Sequence, residues 1–145
     1  METVNILEDL LNDEYVLYLK TRKYHWNVTG IHFYSLHKQL ELQYQILDLI
    51  ADELAERIRK LGGFVKITHS SILQSHLKDE KHEHLKDKDI LTSLLFDHSY
   101  LIKKYRNAIE KIDADPGSED LLTLEVQKHE KINWELKSLL DINKF

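Results

Sequence analysis

Five side chains in the first half of the chain have the types and spacing of metal ligands: His25, His37, Glu41, Asp52 and Glu56. Two neutral imidazoles with carboxylates suit a divalent transition metal. His37 and Glu41 are four residues apart, as are Asp52 and Glu56. On a helix, each pair lies on one face, one turn apart. His25 and His37 fall six residues either side of a turn centred near residue 31. An antiparallel hairpin therefore brings the two imidazoles to the same level. Asp52 lies far beyond His37, about 22 Å along a helix axis, so one chain cannot bring both groups to one ion. A second copy packed antiparallel across a two-fold axis can, and an isologous interface then makes two such sites.

These groups must be positioned by helices. Leu7, Leu11, Glu14, Tyr18, Thr21, His25 and Val28 alternate at spacings of four and three, which lays one stripe along one helix face. Phe33, His37, Leu40, Tyr44, Leu47, Ala51, Leu54, Ile58 and Leu61 do the same, and so do Leu91, Leu94, His98, Leu101, Tyr105, Ala108 and Ile112. The breakers are Gly30, Gly62-Gly63 and Pro116-Gly117. Pro116-Gly117 is expected to end the third long helix, Ser118 to cap the last, and the last to run to about Leu140. Thr68 to His76 is expected to form a short helix, and residues 78–89, almost wholly charged, a solvated connection. The expectation is all-α: a ferritin-like four-helix bundle, one domain over residues 1–145, with a short extra helix in the long crossover between helices two and three.

Composition narrows the function. The chain has 145 residues, enough for one domain. It has 25 Leu against 5 Val, and 4 Gly with 1 Pro, too few breakers for a β-sandwich. Absent cysteine excludes disulfides, thiolate metal sites and a catalytic thiol. No apolar run approaches a membrane span, and Glu2, Glu8, Asp9, Asp13 and Glu14 interrupt any leader pattern. The expected address is the cytoplasm. The net charge of −5 lacks the basic surplus of a sequence-independent nucleic-acid binder.

A rival arrangement holds the metal inside one subunit. Bundles of that kind carry Glu-x-x-His on two helices, and this chain has none. Glu14 and Asp48 should meet across the first hairpin, with His98 and His129 on the other two helices. A buried hydrogen-bond network is the favoured role for these four. His82 and His84, flanking Glu83, read as solvated residues of the charged connection.

Lys23-Tyr24-His25-Trp26-Asn27-Val28-Thr29-Gly30, followed by Phe33 and Leu36-His37, resembles the signature of the Dps mini-ferritins. Asp52-Glu53-Leu54-Ala55-Glu56-Arg57-Ile58, followed by Leu61-Gly62, resembles that family's second block at matching separation. A weaker likeness runs through Asp115 to Asp120 and Glu130 to Trp134, so the resemblance spans nearly the whole chain.

The resemblance implies a ferroxidase that oxidises Fe(II) to Fe(III), usually with hydrogen peroxide, and stores ferric mineral in a hollow homododecamer. It implies an iron site between two-fold-related subunits: His25, His37 and the position of Glu41 from one chain, Asp52 and Glu56 from its neighbour. The family often has Asp where this chain has Glu41, one methylene longer. Trp26 matches the family's aromatic near the iron, and is equally readable as a core or interface ring. Asp113, Asp115, Glu119 and Asp120 are pore candidates by position; the last two also suit a helix dipole. The acidic start METVNILEDLLNDE lacks the Lys-rich arm with which some members grip DNA. Twelve copies would carry about −60 and repel phosphate, so DNA binding is expected to be weak or absent. The alternatives are a DNA-compacting protein with incidental iron binding and a purely structural bundle.

Overall fold

The stripes form helices. A computed structural model describes residues 2–77 and 85–141, with α1 at Glu2–Asn27, α2 at Phe33–Lys60, α3 at His69–Ile72, α4 at Asp87–Lys111 and α5 at Pro116–Leu139. The His82-Glu83-His84 reading lies outside the described residues. α1 packs chiefly on α2 and α4 on α5, and the two hairpins join through α1 against α4 and α2 against α5. The core is one cluster, mostly Leu and Ile, that includes the fully buried Tyr105. Among the described residues, no helix is long and apolar enough to cross a membrane.

The helix ends follow local chemistry. Gly62 stands in the left-handed region at φ +82° just past α2. Its N–H donates to Arg59 O, and that of Gly63 to Ile58 O. This is the paired exit that favours glycine. Thr68 caps α3 by accepting from Ser71 N–H, while Ser71 Oγ accepts from Thr68 N–H. α3 is therefore one turn long, shorter than the expected Thr68–His76.

Two boundaries differ from the sequence expectation. The turn between α4 and α5 is made by Ala114 in the left-handed region, φ 56°. Pro116 opens α5 rather than closing α4, because its fixed φ suits a first helical residue and its missing N–H costs nothing there. Asp115, not Ser118, is the cap: its carboxylate accepts from Ser118 N–H at 3.1 Å. Residues 87–89 are helical, since Asp87 and Asp89 complement the positive end of α4.

α1 is buried on two sides, which the single stripe did not anticipate. Leu10, Asp13, Leu17, Lys20 and Tyr24 form a second buried row. Lys20 pairs with Asp97 at 2.8 Å, both nearly inaccessible. Asp13 receives Lys104 at 2.6 Å and Ser75 Oγ at 2.6 Å, tying the crossover to α1 and α4.

Candidate metal centre

His25 stands in the last turn of α1, and His37 in the second turn of α2. Their rings stack with centroids 3.8 Å apart and planes 13° from parallel. Each ring is held by the other residue's backbone: His25 Nδ1 lies 2.7 Å from His37 O, and His37 Nδ1 lies 2.7 Å from His25 O. A carbonyl only accepts, so both Nδ1 atoms carry hydrogen. In the neutral ring, that leaves each Nε2 lone pair free, the form a metal-binding imidazole takes. Phe33 stacks on His37 at 4.9 Å, and Tyr44 meets His25 edge-on at 5.1 Å. The rings form a stack fixed at both ends.

The carboxylates are arranged differently. Glu41 is half-buried one turn beyond His37 and takes an ion pair from Lys38 at 3.3 Å. Asp52 and Glu56 point outward from α2, and Glu56 has only the distant Lys60, at 3.8 Å. Among the described residues, no three His, Asp or Glu side chains of the single chain are placed to hold a metal. The histidines and the Asp52–Glu56 pair stand at opposite ends of one outer face. Apolar residues line that face without cover: Leu42 and Leu49 on α2, Leu19 and Trp26 on α1 are all more than half exposed.

Trp26 is therefore not a core residue. The Arg22 guanidinium stacks 5.2 Å from its ring and 4.7 Å from that of Tyr44, while Arg22 Nη1 donates to Tyr18 Oη at 2.7 Å. Sequence reasoning passed over Arg22, although its spacing of four from both Tyr18 and Trp26 is a recognisable signal.

The second histidine pair is buried in the bundle centre. His98 Nδ1 and His129 Nδ1 are 2.9 Å apart, His129 Nε2 lies 2.6 Å from Glu14 Oε1, and Tyr105 Oη donates to that oxygen at 2.6 Å. Burial, reinforced by His129, holds the His98 imidazole well below the usual range, so it is neutral. Burial, and then Glu14, push the Tyr105 phenol well up. Asp48 does not join Glu14: it is exposed, because α2 turns that position outward, while Glu14 faces α4 and α5.

Of the pore candidates, Asp113 and Asp120 are exposed. Asp115 is occupied as the α5 cap and pairs with Arg57 at 2.5 Å. Its hydrogen bonds from Ser118, and then Arg57, hold its carboxyl below the usual range. Gly117 makes room for this contact, since a Cβ there would stand 2.7 Å from Arg57 Nη2.

The comparison with known proteins adds to this geometry. Residues 4–145 match the model of the ferritin-like domain family. The chain is 33% identical to the DNA protection during starvation protein of Helicobacter pylori, over 97% of this chain and 99% of that one. It belongs to the Dps family. It is also 35% identical to an uncharacterized low temperature-induced protein of Nostoc, across 95% of this chain and 79% of that one. The crystal structure of the Vibrio cholerae Dps protein, described as a member of a broad superfamily of ferritin-like diiron-carboxylate proteins, superposes with a TM-score of 0.90 at 31% identity, covering 96% and 89% of the two chains. The Staphylococcus aureus Dps superposes equally well at 33% identity, over 95% and 94%. The Dps fold thus accounts for all four long helices and the short one in the crossover.

Proposed function

We propose that this protein is an iron-storage mini-ferritin whose subunits oxidise Fe(II) at sites shared across a two-fold interface. His25, His37 and Glu41 supply one half of each site, and Asp52 and Glu56 of the partner subunit supply the other. The observation that carries the reading is the separation of the halves. Two imidazoles with free Nε2 lone pairs lie at one end of an uncovered, partly apolar face, and two outward carboxylates lie at the other. An antiparallel copy laid on this face pairs each half with its complement.

In this reading, iron is substrate and then cargo. Imidazole and carboxylate bind Fe(II), and the anionic oxygens favour the higher charge of Fe(III). Two Fe(II) each lose one electron to one hydrogen peroxide, whose O–O bond breaks to give two hydroxide equivalents. The fixed histidine stack keeps its ligands in place through that change. Ferric product is stored as mineral inside a hollow dodecamer, which limits oxidative damage from free iron. DNA binding is no part of the proposal, because a net charge of −5 per chain opposes phosphate.

The test combines particle mass with iron oxidation. Light scattering is expected to give a particle of twelve chains. Fe(II) followed by absorbance is expected to oxidise faster with peroxide than with oxygen alone. A stable monomer, or oxidation no faster than in buffer, would overturn the reading.

A further inference from the structure

Among the described residues, several buried polar atoms lack a hydrogen-bond partner, Glu14 Oε2 included, and four of them stand near one level on three helices: Thr21 Oγ1, both ends of the Gln43 amide, and His98 Nε2. Thr21 and His98 are wholly inaccessible, and Gln43 is 1% exposed. Buried polar atoms without partners are rare, and each one calls for a physical reason.

The helix pairings bring the three residues to one level. α1 and α4 run antiparallel, pinned by Tyr24 Oη to Ser93 Oγ, Lys20 to Asp97, and Tyr105 to Glu14. His98 follows Asp97, and Thr21 follows Lys20, so the two lie within a turn of each other. The His25–His37 exchange pins α1 against α2. Gln43 lies six residues beyond His37, level with Leu19, six before His25. All three residues are buried, and all three face the interior.

The chemistry of the unpartnered atoms selects the occupant. Gln43 offers two N–H donors and a carbonyl acceptor, and Thr21 offers a donor and an acceptor from one oxygen. His98 shares its Nδ1 with His129, and whichever ring donates there, His98 Nε2 is left as either a lone pair or an N–H. A metal ion would serve a His98 lone pair and the Gln43 oxygen but leave the Gln43 N–H groups without an acceptor. A small molecule that both donates and accepts serves every one of them.

We propose that the centre of each bundle is a binding site for ordered water, held by Thr21, Gln43 and His98. The bound water extends the Tyr105–Glu14–His129–His98 chain onto α2. Without it, that chain draws on α1, α4 and α5 only; with it, all four long helices are joined by one hydrogen-bonded path. The water also serves His98 Nε2, whichever ring donates in the His98–His129 bond. This site lies inside one subunit and does not depend on the two-fold metal reading.

The test uses the assembled protein. An atomic-resolution crystal structure is expected to show water within hydrogen-bond distance of both His98 Nε2 and the Gln43 amide. Solid-state NMR of the assembly labelled with 15N-histidine is expected to show magnetisation passing from water to His98 Nε2. Gln43→Leu should abolish that transfer and shift the His98 ring resonances. Thr21→Val, which keeps the side-chain shape, should weaken the transfer, and it serves if Gln43→Leu fails to assemble. A metal ion at this position, direct contact of Gln43 with His98, or His98 resonances unchanged in both variants would overturn the proposal.

Discussion

Among the described residues, two histidine pairs, each with a carboxylate nearby, differ in where their lone pairs go. At the end of the first hairpin, the Nδ1–H groups of His25 and His37 are taken up by backbone carbonyls, and both Nε2 atoms are left over. In the bundle centre, His98, His129 and Glu14 use their facing atoms on one another and on Tyr105. The outer pair stacks, and the inner pair bonds edge to edge. Metal competence follows from which atom the fold leaves free, and residue type alone does not decide it.

The largest expected effect breaks the outer pair. His25→Ala or Asp52→Ala should lower iron oxidation by roughly tenfold or far more, the scale of losing metal-site residues, with circular dichroism unchanged. If the site is shared, reassembling the two variants from dissociated subunits should restore part of the activity. A mixed two-fold interface holds one site with both defects and one with none. Verified mixed oligomers with zero recovery would reject sharing, because a site within one chain leaves every copy broken.

The inner pair should fail in the opposite way. Glu14→Ala strands the Tyr105 hydroxyl and a His129 nitrogen in the core, and each such orphan costs about 1–3 kcal/mol. Urea unfolding should register the loss, while oxidation per assembled particle stays near the parent value. Strong loss of oxidation in an intact particle would erase the distinction between the pairs.

A third buried polar group sharpens the comparison through pH. The Glu125 carboxyl has no exposed side-chain surface and lies 3.0 Å from Lys128. Burial and its hydrogen bond to Glu53 push it up to about 8, so it is protonated at neutrality. A carboxyl raised from 4.5 to about 8 contributes fully to the folded state below about 4.5, and that contribution is lost as pH climbs from there through about 8. Melting temperature should fall across this window, and Glu125→Gln should flatten the fall.

The smallest effect is expected at the edge of the outer stack. Phe33→Leu removes the ring from His37, a contact worth about 0.5–1.5 kcal/mol. Iron oxidation should drop by less than tenfold, with half-saturation in Fe(II) moving more than the limiting rate.

Much of this was legible in the sequence because the signals are periodic. Stripes of spacing three and four gave the long helices, and the equal distances from residue 31 brought His25 and His37 to one level. The second row of α1 was not legible: Asp13 and Lys20 look like solvated charges until α4 supplies Lys104 and Asp97. Asp48 misled because it sits one turn from true stripe positions but on the outward side. Pro116 misled because proline both ends and begins helices, and only the backbone at Ala114 shows which. The carbonyl hold on the outer histidines left no trace in residue types, since any residue has a carbonyl.

That mutual hold has a thermodynamic consequence. In the closed hairpin each imidazole is fixed by the other residue's main chain. The rotational entropy of both rings is lost when the chain folds, before any ion arrives. Iron therefore meets half a coordination sphere that is already still, and its binding free energy is not diminished by ordering those ligands.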